Sequence, residues 1–118
     1  MRLREFRQYR ERLNKKILDE GDRNTRRFFA LDTAAYRDGA LTGRYKELLG
    51  LVASTVLRCN DCILYHLDRC IQEGYTDQEL YEALNVALVV GGSITIPHLR
   101  YAYEMIDEIR SQESSQSH

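Results

Sequence analysis

Cys59 and Cys62 stand three residues apart and His66 follows four residues later, in the stretch Cys59-Asn60-Asp61-Cys62-Ile63-Leu64-Tyr65-His66. If the chain is helical from about Cys59, steps of roughly 100° put Cys62 and His66 on neighbouring turns of one face. Cys59 then lies near the first turn, where unpaired backbone N–H groups and the positive end of the helix dipole favour a thiolate. Arg58, Asn60 and Asp61 make the surroundings polar, and Arg58 adds a favourable charge for a thiolate. A dithiol with a lowered pKa beside a proton carrier has the parts for thiol–disulfide exchange.

Two other uses of these residues compete with that chemistry. Zinc would need Cys59, Cys62, His66 and Cys70 to converge, yet on one helix they span about 16 Å of rise, whereas a tetrahedral ion takes its donors at roughly 2.0–2.3 Å. Further ligands would have to come from His98 or His118, the remaining histidines. No metal or other cofactor is therefore expected. Burial as small hydrophobes is the other use, and it suits Cys70, one turn past His66 and beside Ile71. A proton relay also wants an acid. Glu47 would lie about 18 Å from Cys59 were 43–70 one straight helix. It comes near the thiols only if the chain turns around Leu57–Asn60 and the two helices pack antiparallel.

The elements that must hold this site are helical. No strand-like alternation is sustained, while helix-period patterns recur throughout. Residues 2–20 carry Leu3, Phe6, Leu13, Ile17 and Leu18 as a narrow stripe, with Gly21 as the stop. Asp22 or Asn24 is expected to cap the next short helix, and Asp32 or Thr33 a further turn or two ending at Gly39. Thr42 reads as the N-cap of a helix over 43–57, with Tyr45, Leu48, Leu49, Val52, Val56 and Leu57 inward. The cysteine helix buries Ile63, Leu64, Leu67 and Ile71 and ends at Gly74. Thr76 to Glu79 is a capping box, Gly91-Gly92 a break, and Pro97 the opening of a final helix through Ile109. The expected architecture is all-α with about six helices: an N-terminal helical extension over 1–40 packed on a core over 41–110, then a disordered tail over 111–118.

Acidic and basic residues nearly balance, giving a net charge of −1, so neither a nucleic acid nor an anionic membrane is an expected partner. The eight Arg and two Lys of the first 29 residues read as the solvated face of an amphipathic helix. Met1 to Phe6 lacks the apolar core of a signal peptide, and no run approaches the roughly 18 apolar residues of a membrane span. Three cysteines then point to a reducing cytoplasm, where a CxxC is more often catalytic or metal-binding than a structural staple. Apolar residues on more than one face around Ala83 to Val90 predict a homo-oligomer. His98, next to Pro97, reads as a packed histidine capping a neighbouring carbonyl, with a substrate or subunit contact as the alternative. Tyr65, Tyr101 and Tyr103 are candidates to line a pocket near the dithiol.

Glu47, then Cys59-x-x-Cys62-x-x-x-His66, then Gly74-Tyr75-Thr76-x-x-Glu79-Leu80 resembles the carboxymuconolactone decarboxylase superfamily, and its alkylhydroperoxidase D-like branch most. The similarity runs from about Lys46 to Met105 and includes Gly91-Gly92. It implies an all-helical core at 41–110 that assembles into a homo-trimer or homo-hexamer. It also implies a CxxC cycling between dithiol and disulfide, with Glu47 and His66 in a proton relay around Cys59 and Cys62. A peroxide or disulfide would be the substrate and an external dithiol the reductant, in antioxidant defence. The branch's better-known peroxidases often carry a second His just before the second cysteine, where this chain has Asp61. The alternative is a non-catalytic oligomer that senses redox state or binds a small molecule.

Overall fold

The computed structural model describes residues 2–116; His118, weighed above as a ligand, lies outside them. The chain divides into two compact units, the first ending at Asp38 and the second beginning at Gly39. Among the described residues there are six α-helices and one 3₁₀ turn.

The first unit holds α1 (Arg2–Glu20) and α2 (Arg23–Ala35). Helix α1 stops as expected at Gly21, whose N–H donates to the Ile17 carbonyl at 2.7 Å. Asp22 is the N-cap of α2 and accepts from the Thr25 N–H at 3.0 Å. The caps expected at Asp32 or Thr33 do not form, because α2 runs through both positions. The Thr33 hydroxyl instead donates back one turn to the Phe29 carbonyl at 3.1 Å, which leaves no break in the helix.

The second unit contains α3 (Gly43–Val56), α4 (Asn60–Gln72), α5 (Asp77–Gly91), the 3₁₀ turn Ser93–Thr95 and α6 (Ile96–Gln116). Thr42 caps α3 by accepting from the Tyr45 N–H. Thr76 and Glu79 form the reciprocal box that opens α5, with the Glu79 carboxylate accepting from the Thr76 N–H at 2.8 Å. Helix α6 continues past Ile109 to Gln116, so the disorder expected from Ser111 does not hold up to that residue.

Leu51, Ile63, Leu67, Leu80, Leu84 and Ile106 are fully buried at the centre of this unit. Each such side chain contributes about 1.5–3 kcal/mol of transfer free energy. The buried side of α3 departs from expectation. Glu47, Leu51, Ser54 and Thr55 face inward, while Tyr45, Leu49 and Leu57 are exposed. This helix carries apolar residues on several faces, so hydrophobicity alone does not select the one that meets α4 and α5.

Two turns fix how α3 and α4 meet. After Leu57, the Arg58 N–H donates to Thr55 O at 3.0 Å and the Cys59 N–H to Ser54 O at 3.1 Å, the paired bonds of a Schellman motif. At the far end of α4, Gly74 N–H donates to Ile71 O and Tyr75 N–H to Cys70 O in the same pattern. Arg44, in the first turn of α3, lies over the Tyr75 ring at 3.7 Å and donates to Glu73 O at 3.0 Å. The two helices are therefore an antiparallel hairpin tied at both ends.

Candidate active site

The Schellman motif that ends α3 delivers the chain directly to the cysteines. Its left-handed position normally takes glycine, as at Gly74 with φ +90°, but before the cysteines it is Arg58 with φ +62°. A side chain there costs about 1–2 kcal/mol, accepted at the one turn that joins α3 to Cys59. Cys59 is both the last residue of that motif and the N-cap of α4. Its sulfur does what a capping oxygen does elsewhere, accepting the Cys62 N–H at 3.2 Å.

Cys59 and Cys62 are joined as a disulfide, with Cα atoms 5.3 Å apart, inside the range such a bond requires. Cys62 is exposed and Cys59 half-buried, so solvent reaches the pair. Cys70 is the remaining cysteine, free and fully buried. Burial, reinforced by the Glu47 carboxylate, pushes its thiol up to about 12. It stays protonated and packs as a small apolar side chain, as expected.

Across the hairpin, His66 Nδ1 lies 2.9 Å from Glu47 Oε2, with both side chains a tenth exposed or less. Since a carboxylate only accepts, Nδ1 carries the proton and Nε2 is the nitrogen left to exchange one in the neutral ring. The chain does turn between α3 and α4 so that the helices run antiparallel, and the residue this turn brings against Glu47 is His66. Arg69 Nε stands 3.9 Å from the other Glu47 oxygen. Tyr65 meets the His66 ring edge-on, with centroids 5.1 Å apart.

Gly50 is what lets the ring sit there. A Cβ on Gly50 would stand 2.6–2.8 Å from three atoms of the His66 imidazole. Neither Gly50 nor Arg69 was singled out from the sequence. The available signal was a glycine in mid-helix one turn from Glu47, a position that costs about 1 kcal/mol unless something needs the space.

His98 does bond a carbonyl oxygen, but a side-chain one: its Nδ1 lies 2.7 Å from Asn60 Oδ1, between the two cysteines in sequence. Tyr103 stacks on Tyr81, with ring centroids 4.6 Å apart. Among the described residues, no three His, Cys, Asp or Glu side chains are grouped to hold a metal ion. No helix among them is long and apolar enough to cross a membrane.

The model of the carboxymuconolactone decarboxylase family matches residues 22–104. The chain belongs to that family. The match begins upstream of the motifs read above, so α2, left unassigned by them, falls within the family's region. A Thermotoga maritima carboxymuconolactone decarboxylase family protein, described with a suggested part in an antioxidative response, superposes with a TM-score of 0.91 at 56% identity, over 97% of each chain. A further crystal structure from Thermotoga maritima gives 0.91 at 58% identity over 94% of this chain and 97% of the other. A carboxymuconolactone decarboxylase family protein of Legionella pneumophila gives 0.82 at 26% identity, over 92% and 96%. In sequence, an uncharacterised protein of the cox locus of Paracoccus denitrificans is 33% identical over 82 residues, 70% of this chain and 74% of that one.

Proposed function

We propose that this protein is a thiol-dependent peroxidase or disulfide oxidoreductase of the alkylhydroperoxidase D-like kind, acting through Cys59 and Cys62 with His66 and Glu47 as proton relay. The observation that carries this reading is a solvent-reached CxxC disulfide at the mouth of α4, one helical turn before a histidine held by a buried carboxylate. In the reduced protein a thiolate attacks the peroxide ROOH, the O–O bond breaks, and the alkoxide leaves as ROH after taking a proton. The resulting sulfenic acid condenses with the second thiol, releasing water and forming the Cys59–Cys62 disulfide. An external dithiol then reduces that disulfide and is itself oxidised. His66 supplies and recovers protons through Nε2, and Glu47 fixes its tautomer.

Exposure favours Cys62 as the sulfur that meets the substrate, while the Cys62 N–H steadies the sulfur of Cys59. The working form is a homo-trimer or homo-hexamer in the cytoplasm. The exposed Val86, Val89 and Val90 face of α5 is the contact.

The test is consumption of cumene hydroperoxide by purified protein with dithiothreitol as reductant. Catalytic turnover that is lost in Cys59→Ser and in Cys62→Ser is the expected result. Reversible disulfide formation with no turnover would replace the enzyme by a redox sensor, the reading that Asp61, in place of a second histidine, favours.

A further inference from the structure

We infer that His98 is a positioning residue for the Cys59–Cys62 couple, acting through Asn60 to hold the turn in which the two sulfurs bond. The inference rests on the redox reading of that pair and adds a residue from α6 to it.

Asn60 is the first residue of α4 and sits within the CxxC, so its backbone position sets the spacing of the two cysteines. Its side-chain oxygen accepts from His98 Nδ1 at 2.7 Å. The other bonds that order the turn are local ones, the Cys59 N–H to Ser54 O and the Cys62 N–H to the Cys59 sulfur, and neither fixes the Asn60 side chain. Arg58, just before it, sits in the left-handed region at a cost, and Asn60, Asp61 and Cys62 are all exposed. The restraint comes from 38 residues away in sequence, and the chain before His98 is built to deliver it. Gly92 takes φ +80°. The Thr95 hydroxyl and N–H both donate to the Gly92 carbonyl, at 2.6 and 3.0 Å, and Thr95 is fully buried. A side chain on Gly91 would collide with Thr95. Pro97, with its fixed φ, then opens α6 one residue before His98. A locked turn followed by a rigid helix start places one imidazole on one amide.

The consequence is for the equilibrium between dithiol and disulfide. Closing a disulfide requires the two sulfurs to be held at bonding distance, and a turn already ordered loses less entropy on closing. The His98–Asn60 bond orders that turn, so it favours the oxidised form. Since both side chains are partly in water, the effect is that of one modest hydrogen bond, about fivefold in the equilibrium constant.

The experiment equilibrates the full-length protein with mixtures of reduced and oxidised glutathione. In each cycle two glutathione thiols are oxidised to one glutathione disulfide as Cys59–Cys62 is reduced. The redox state is read by alkylation and mass. His98→Ala is expected to shift the equilibrium about fivefold toward the dithiol. His98→Asn, whose side-chain amide nitrogen lies where Nδ1 does, is expected to restore it to within about twofold. Asn60→Ala leaves α6 intact and should match His98→Ala, while the double variant should add nothing further; it carries the test if His98→Ala does not fold. A shift below about 1.5-fold in both single variants, or toward the disulfide, overturns the role of His98. A Cys59–Cys62 pair that never exchanges with glutathione in the unsubstituted protein overturns the redox reading itself, which is a separate result.

Discussion

The imidazole of His66 and the carboxylate of Glu47 meet 2.9 Å apart in the seam between α3 and α4, almost out of reach of water. Neither helix could stabilise that contact alone. The Schellman turn at Arg58 and the Arg44–Tyr75 stacking at the other end set the register in which positions 47 and 66 face each other. A buried polar pair of this kind is costly unless both members are satisfied, and here each satisfies the other.

Glu47→Gln separates charge from shape. The amide oxygen can still accept from Nδ1, so the fold should lose less than about 1 kcal/mol, while the carboxylate that stabilises a protonated imidazole is gone. The rate at which peroxide converts the dithiol to the disulfide should fall by about a hundredfold. Stopped-flow single-turnover oxidation measures it, and an unchanged rate would remove Glu47 from the relay. Glu47→Ala should instead destabilise the protein by about 1–3 kcal/mol, by leaving the buried Nδ1–H without its acceptor.

Gly50→Ala sets two effects against each other. Helix propensity alone would make alanine the better residue by about 1 kcal/mol. The new methyl, however, would stand 2.6–2.8 Å from the His66 ring, and overpacking of this kind costs about 1–3 kcal/mol. The ring is buried and bonded to Glu47, so it has no cheap way to yield. We expect a lower denaturant midpoint together with a changed His66 ring environment by NMR. A gain in stability would mean that the ring is not seated where these contacts place it.

Local signals carried much of this molecule. The capping box at Thr76, the glycine stop at Gly74 and the Thr42 cap are read from short stretches, because the residues that satisfy each helix end lie within a few positions. The CxxC at the helix mouth is legible for the same reason. Glu47 was only conditionally legible, since its distance to His66 depends on a turn whose left-handed residue is Arg58 rather than the glycine that announces such turns. The inward face of α3 was misjudged because Leu49 and Leu57 look like core yet stand exposed. His98 and Asn60, 38 residues apart, share no local pattern at all.

Cys70 gives the stability a pH dependence with a definite sign. Its thiol rises from the ordinary 9.0 to about 12 on folding, chiefly by burial. The unfolded chain therefore releases this proton before the folded one does. The stabilisation is fully present below pH 9 and is lost as pH climbs from about 9 toward about 12. Denaturant midpoints at pH 8 and pH 10, measured in a Cys59→Ser, Cys62→Ser background to prevent disulfide exchange, should fall with pH. The fall should be clearly smaller when Cys70→Ala is added. Equal slopes would show that Cys70 does not reach the unfolded chain's ionisation any differently from the folded one's.

The valines of α5 test the assembly. Val86, Val89 and Val90 follow i, i+3, i+4 spacing and are 53%, 77% and 68% exposed in the single chain. Three β-branched apolar side chains on one helical face leave on the order of a hundred or more Å² in water, and covering it contributes at roughly 25 cal/mol per Å². Val89→Glu puts a charge at the centre of that face, where burial in an interface would cost several kcal/mol. Because residue 89 is open to solvent in the single chain, the variant's own fold should keep its thermal midpoint once assembly is accounted for. We expect sedimentation at micromolar concentration to show the unsubstituted protein as a trimer or larger and Val89→Glu as a smaller species. A variant that sediments with the unsubstituted protein would move the subunit contact away from α5, and a monomeric unsubstituted protein would abolish it.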